Sequence, residues 1–405
     1  MARLENRRIL LGVTGSIAAY KAVEVARGLI RQGADVRVVM TREALAFVGP
    51  MTFSALTGHP VSIEQFPPHG QAGEEHLDLA LWADAVAIVP ATANFIGKLA
   101  NGLADDLLST LLLACEVPLC IAPAMNFRML RHPAVQANLA ILGVRGCHLI
   151  ASDFGPLGNG EVGEGRLAEP ERIVEAIAIC AEPRRDLAGR RTLITAGPTV
   201  EPIDPVRYIT NRSSGKMGFA LAQMAVQRGS AVTLITGPTA LPDPYGVTVV
   251  RVRSAEEMAQ AVLPALEGQD VVIMAAAVAD YRPARVAPQK IKKAKASVTL
   301  DLERTTDILG EAGTRNIPVL VGFAVETNDG LSYARQKLVK KNLDMVVYND
   351  ITVEGAGFDV DTNIVTLIQR NGREEDLPKC SKIDVADRVL DEVVALLALK
   401  ESVIG

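Results

Sequence analysis

Between Thr195 and Gly218 the chain gathers its densest set of groups able to bind an anion. Asn211-Arg-Ser-Ser-Gly-Lys-Met-Gly offers amide, guanidinium, hydroxyl and ammonium donors beside glycine. Directly after it, the apolar run Gly218-Phe-Ala-Leu-Ala-Gln-Met-Ala-Val opens a helix. Free backbone N–H groups and the positive end of the helix dipole favour phosphate or carboxylate at such a place. The loop before it carries Pro198, Pro202 and Pro205, and a loop this long inside a compact domain is usually functional. A polar helix cap is the plainer reading of the same residues.

In the same half, Asp280 follows an apolar run, with Lys290, Lys337, Lys340 and Lys341 further on. Cations and a carboxylate near an anion site suit a nucleoside triphosphate with Mg²⁺, the lysines offsetting phosphate charge and Asp280 meeting the metal or the ribose. A solvated basic face is the alternative, and no Walker A sequence is present. In the first half, His76 stands between Glu75 and Asp78 near a helix start. It is a candidate general base or a solvated histidine. Asn126 ends a strand and could hold a carboxylate or a flavin's polar edge, or cap a helix.

The elements that must position these groups alternate. Strands are expected at Arg8 to Val13, Asp35 to Met40, Asp84 to Pro90 and Val117 to Pro123, with helices between. This pattern implies a parallel sheet with right-handed crossovers, with ligands beyond the carboxyl ends of the strands. The strands end in small polar residues: Gly15 and Ser16, Thr41, Thr92 to Asn94, and Asn126. The first turn is GxxGS, not GxGxxG, so a mononucleotide such as FMN fits better than a dinucleotide, with an ordinary strand-to-helix turn as the alternative. The glycine-dense stretch Asp153 to Arg166 cannot be a stable helix and reads as a mobile flap. After it the alternation restarts, with strands at Arg191, Ala231, Asp270, Pro318 and Asp344 and an added antiparallel edge at Asn363 to Gln369. The expected architecture is α/β, with two Rossmann-like or flavodoxin-like parallel-sheet domains. They span residues 1–183 and 191–405 and are joined by a short charged linker at 184–190.

At 405 residues the chain is too long for one ordinary core. The net charge of −5 gives no basic excess for nucleic acid. Five scattered cysteines without a CxxC pair point to reduced thiols in the cytoplasm. The most apolar stretch, Leu107 to Pro123, is interrupted by Glu116 and Pro118 and is shorter than the roughly 20 residues a membrane span needs.

Over nearly its whole length the chain resembles the bifunctional phosphopantothenoylcysteine decarboxylase/phosphopantothenate–cysteine ligase family of bacterial coenzyme A synthesis. The resemblance rests on GVTGSIAAYK, PAMN, ITAGPTVEPIDPVRYITNRSSGKMGFA, AAAVADYRP, KIKK, GFAVETN and YARQKLVKKNLD. It implies that the second half uses CTP and Mg²⁺ to activate 4′-phosphopantothenate as an acyl-cytidylate and joins it to cysteine. Asn211 would handle that intermediate and Lys290 would assist its formation. Met274, Ala275, Ala276, Asp280, Asp307, Ile308, Phe323, Lys337 and Lys341 would contact the nucleotide. It also implies FMN-dependent decarboxylation in the first half. There His76 would be the catalytic base and Asn126 the substrate-carboxylate ligand, with Gly15, Ser16, Ile17, Thr41, Thr92, Ala93, Asn94 and Ala124 on the flavin. A homo-oligomer is implied, with trimeric flavin domains and dimeric ligase domains.

Two stretches depart from the family pattern. Asn159 stands where the family's flap carries an acid cysteine, and an amide donates no proton near neutral pH. Thr305-Thr-Asp-Ile replaces the usual Asn-Pro-Asp-Ile. A flavin-binding regulatory protein and a flavin prenyltransferase-like enzyme are the competing readings of the first half; neither needs the second.

Overall fold

The computed structural model describes residues 4–66, 75–158, 160–292, 299–326, 329–350 and 360–404. The chain divides into two compact units, Ala2–Pro183 and Arg184–Gly405.

In the first unit, β1 (Arg8–Val13) leads into α1 (Ala19–Arg31) and β2 (Asp35–Met40). Ile9, Leu10, Leu11 and Val13 are fully buried, as expected of a strand covered on both faces. Then come α2 (Pro50–Thr57), α3 (Glu75–Trp82), β3 (Ala85–Ala91), α4 (Ala93–Asn101), α5 (Leu107–Leu113) and β4 (Leu119–Pro123). Next follow α6 (Phe127–Leu130), α7 (Pro133–Val144) and β5 (His148–Leu149). The sheet order is β2-β1-β3-β4-β5, all parallel. The order reverses direction at β1, so the crevice opens beyond the carboxyl ends of β1 and β3.

The glycine-dense stretch is an antiparallel hairpin, β6 (Asp153–Pro156) with β7 (Val162–Arg166), followed by α8 (Pro170–Cys180). Its glycines let the hairpin lie against the end of β4. Gly165 has φ +109°, a Cβ there would stand 2.2 Å from Met125 O, and Met125 N donates to Gly165 O at 3.0 Å.

The second unit begins with β8 (Arg191–Ala196). The segment 184–190, read above as a linker, belongs to this unit. Leu187 is fully buried. Asp186 pairs at 2.6 Å with the buried guanidinium of Arg228, which also meets Asp391 at 2.8 Å. The proline-rich loop after β8 is likewise a hairpin, β9 (Val200–Pro202) with β10 (Tyr208–Thr210). Then come α9 (Lys216–Gln227), β11 (Ala231–Thr236), β12 (Thr248–Arg251), α10 (Ala255–Ala265) and β13 (Val271–Met274). They are followed by β14 (Tyr281–Pro283), β15 (Leu302–Arg304), α11 (Ile308–Ala312), β16 (Val319–Glu326), α12 (Gly330–Lys340) and β17 (Met345–Asp350). The unit closes with β18 (Thr362–Gln369), β19 (Glu374–Ser381) and α13 (Lys382–Ile404).

The order β12-β11-β8-β13-β16-β17-β18-β19 repeats the reversal at the first strand. β18 is antiparallel to β17, but it is not the edge: β19 pairs outside it. Among the described residues no helix is long and apolar enough to cross a membrane.

Candidate functional sites

Beyond β1–β4 lies a cavity of about 320 Å³ lined by Gly15, Ser16, Thr41, Thr92, Ala93, Asn94 and Ala124. The strand-end residues expected to meet a flavin are thus brought together. Gly15 is required by its turn, since a Cβ there would stand 2.4 Å from Glu43 Cβ. Thr14 Oγ1 donates to Pro90 O at 2.7 Å and accepts from Thr92 N at 3.1 Å, tying the ends of β1 and β3 together. Among the described residues the buried Thr41 Oγ1 has no hydrogen-bond partner. A buried orphan hydroxyl costs stability unless a ligand meets it, so it suits a polar bound group. Lys98 lines the same cavity but is paired with Asp105 at 2.7 Å and Asp106 at 2.9 Å. A phosphate here would therefore be met chiefly by backbone amides and hydroxyls.

An adjoining cavity of about 420 Å³ shares Ser16 and Ala124 and adds Ile17, Asn126 and the hairpin residues Pro156, Leu157 and Gly158. Asn126 does cap α6, its Oδ1 accepting from Arg128 N at 2.9 Å. Its Nδ2 simultaneously donates to Glu161 Oε2 at 2.9 Å. The amide nitrogen is therefore already turned toward a carboxylate. His76 is half-buried on α3 and lines neither cavity. Asn159 lies outside the described residues. Cys147, the nearest cysteine in sequence, lines neither cavity, and burial pushes its thiol up.

In the second unit a cavity of about 520 Å³ lies at the N-terminus of α9. Asn211 to Gly218, Ala275, Ala276, Asp280, Phe323 and Lys337 line it, joined by Asn349, Asn363 and Lys382. Gly218 lets α9 approach β8, for a Cβ would meet Ala196 Cβ at 2.5 Å. Asn211 Nδ2 donates to Val278 O at 2.9 Å. Thr195 Oγ1 accepts from Ala276 N at 3.2 Å, and Thr199 Oγ1 from Ala279 N at 2.9 Å. These bonds fix the loop after β13 against the loop after β8. Lys337 Nζ is held on Phe323 O at 2.7 Å.

Four expected contacts lie elsewhere. Met274 is buried beneath the cavity, its sulfur 3.9 Å from Thr195 Oγ1. Asp307 caps α11 through Gly310 N at 3.0 Å and pairs with Lys341. Ile308 is in the core.

Lys290 is exposed, outside the cavity, on a segment anchored from below. The enclosed carboxylate of Asp204 accepts from Val206 N at 2.8 Å, Arg207 N at 2.9 Å and Ile291 N at 3.1 Å. Arg207 Nη2 donates back to Ile291 O at 2.9 Å. The Arg207 side chain holds Asp204 well below the usual carboxylate range. Because the folded value is depressed, this clamp is fully present above about pH 4 and weakens only as pH falls well below it.

A flavoprotein family matches residues 2–181, and the DNA/pantothenate metabolism flavoprotein C-terminal domain matches residues 187–397. The coenzyme A biosynthesis bifunctional protein CoaBC of Bacillus subtilis is 49% identical over 397 residues, covering 97% of this chain and 98% of its own. The chain belongs to the CoaBC family. The Escherichia coli K12 member is 44% identical, covering 96% of this chain and 97% of its own. A crystal structure of a CoaBC C-terminal domain is 44% identical, spanning 53% of this chain and 98% of that one, with a TM-score of 0.46. The chain is therefore a bifunctional enzyme of coenzyme A biosynthesis and a flavoprotein.

Proposed function

We propose that the second unit joins cysteine to 4′-phosphopantothenate at the expense of CTP, and that the first unit decarboxylates the product with FMN. The observation that carries this is that cavities lie at the strand ends of both sheets, two adjoining ones in the first unit and one in the second, and gather most of the residues the two chemistries need.

In the ligase unit, the Ser213–Lys216 turn and the start of α9 receive phosphate oxygens. Cations and N–H groups placed where charge develops lower the barrier to acyl transfer. Lys290, carried on the Asp204–Arg207 clamp, assists formation of the acyl-cytidylate. Asn211, fixed to the loop after β13, positions that intermediate for the amine of cysteine. Mg²⁺ would be bound by the nucleotide phosphates with Asp280 as its single carboxylate, a usual arrangement for this ion; among the described residues there is no cluster of three or more His, Cys, Asp or Glu.

In the flavin unit, Gly15, Ser16, Thr41, Thr92 and Asn94 hold FMN. FMN supplies a two-electron acceptor that makes loss of carbon dioxide from a thiol-bearing carbon possible. Asn126 Nδ2 exchanges Glu161 for the substrate carboxylate. His76 takes a proton from the substrate. Since it lines neither cavity of its own chain, it would serve a neighbouring subunit of a trimer. With ligase dimers as well, the enzyme would be a cytoplasmic homo-oligomer.

The test is a purified sample given 4′-phosphopantothenate, cysteine, CTP and Mg²⁺. The expected result is a yellow protein that releases pyrophosphate when 4′-phosphopantothenate is activated, and releases CMP only when cysteine is present as well. A colourless protein that takes up no FMN would overturn the flavin assignment; CMP release independent of phosphopantothenate would overturn the ligase assignment.

A further inference from the structure

Asn363 belongs to no motif quoted above, yet it lines the ligase cavity and is only 3% exposed. Among the described residues its side-chain Oδ1 is buried without a hydrogen-bond partner. Its Nδ2 lies 3.9 Å from Met217 Sδ. A thioether sulfur accepts and cannot donate, so the nitrogen is the end that faces it, and the free end is the acceptor. The strand register shifts between Asn363 and Val365. The extra residue lies on β19, between Leu377 and Cys380, so the ladder beside Asn363 is locally disrupted.

The cavity has two chemistries. The α9 start, with Ser213, Ser214 and Gly215, offers donors to anions. Phe323 and Val325, with the Met217 thioether, offer apolar walls. A ligand part with apolar faces and polar edges is a nucleobase, and an amide against its edge is how proteins read one. A buried acceptor selects a donor. The exocyclic amine of cytosine is a donor, whereas the O4 of uracil would set lone pair against lone pair.

We propose that Asn363 Oδ1 accepts a hydrogen bond from the exocyclic amino group of the nucleotide's pyrimidine base and thereby sets the preference for CTP over UTP. This rests on the CTP-dependent ligase reading above. It deepens that reading by assigning the base edge to a residue on an antiparallel strand, away from the parallel-strand ends that carry most of the site.

The experiment measures kcat/KM for ligation with CTP, UTP and dCTP in the full-length wild type and in Asn363→Ala. The wild type is expected to prefer CTP strongly over UTP. Asn363→Ala is expected to lose roughly 10- to 100-fold with CTP, the cost of stranding a polar group in a site built to pair it, and equally with dCTP. Its UTP value should change less than about threefold, on the same reasoning, so that the CTP:UTP ratio collapses. Decarboxylation of supplied phosphopantothenoylcysteine and the far-ultraviolet circular dichroism report whether the variant is folded. A wild type that uses UTP as well as CTP overturns the proposal without any variant. So does an equal loss for CTP and UTP, which marks a structural role, or a loss with CTP that is absent with dCTP, which moves the bond to the ribose 2′-hydroxyl. A wild type that ligates with no nucleotide would sink the ligase reading itself, an outcome distinct from these.

Discussion

Lys290→Ala is expected to slow CTP-dependent ligation by about 10²- to 10³-fold, the usual cost of removing one group that stabilises developing charge. Decarboxylation of supplied phosphopantothenoylcysteine should be unchanged, because the flavin cavities belong to the other unit. Lys290 is exposed while its neighbour Ile291 is held at both N–H and C=O. A side chain projecting from a fixed backbone can reach a substrate without a large ordering cost. Lys290→Arg should restore little, because a planar fork does not replace a compact ammonium. Rapid-quench measurement of acyl-cytidylate and CMP reads the step directly. Unchanged ligation in Lys290→Ala would remove this residue from the mechanism.

His76→Ala is expected to lower carbon dioxide release by about 10²- to 10⁴-fold, the range of a positioned general base, with ligation unaffected. The histidine lies outside both cavities of its own chain, so the deficit should be complemented between subunits. Mixed oligomers of His76→Ala with an Asn126→Ala variant should regain part of the activity that neither has alone. Complementation is absent if His76 serves its own chain, and decarboxylation at the wild-type rate by His76→Ala would exclude it as the base.

Both parallel sheets are legible in the sequence because β1, β2, β8 and β11 are apolar runs closed by small polar residues. Their carboxyl ends locate most of each cavity by rule. Other parts are set by contacts distant in sequence. The β6–β7 hairpin shows no apolar alternation; it is positioned by Gly165 against the Met125 carbonyl. β12 is short and largely exposed, and β19 opens on three consecutive acidic residues and carries Pro378, so neither edge announces itself. Asn349 was findable as the end of a parallel strand. Asn363 was not, because its strand runs the other way. Asp307 and Lys341, expected from the resemblance to contact the nucleotide, are paired with each other outside the cavity.

The central claim, two chemistries in series on one chain, is tested by the mass of the product formed from 4′-phosphopantothenate, cysteine, CTP, Mg²⁺ and FMN. The account predicts a CTP-dependent product lighter than phosphopantothenoylcysteine by one carbon dioxide. A product lighter by a further two hydrogens would mean that decarboxylation proceeds but that no group donates the proton Asn159 cannot supply. Accumulation of intact phosphopantothenoylcysteine, or a decarboxylated product formed without CTP, would contradict it.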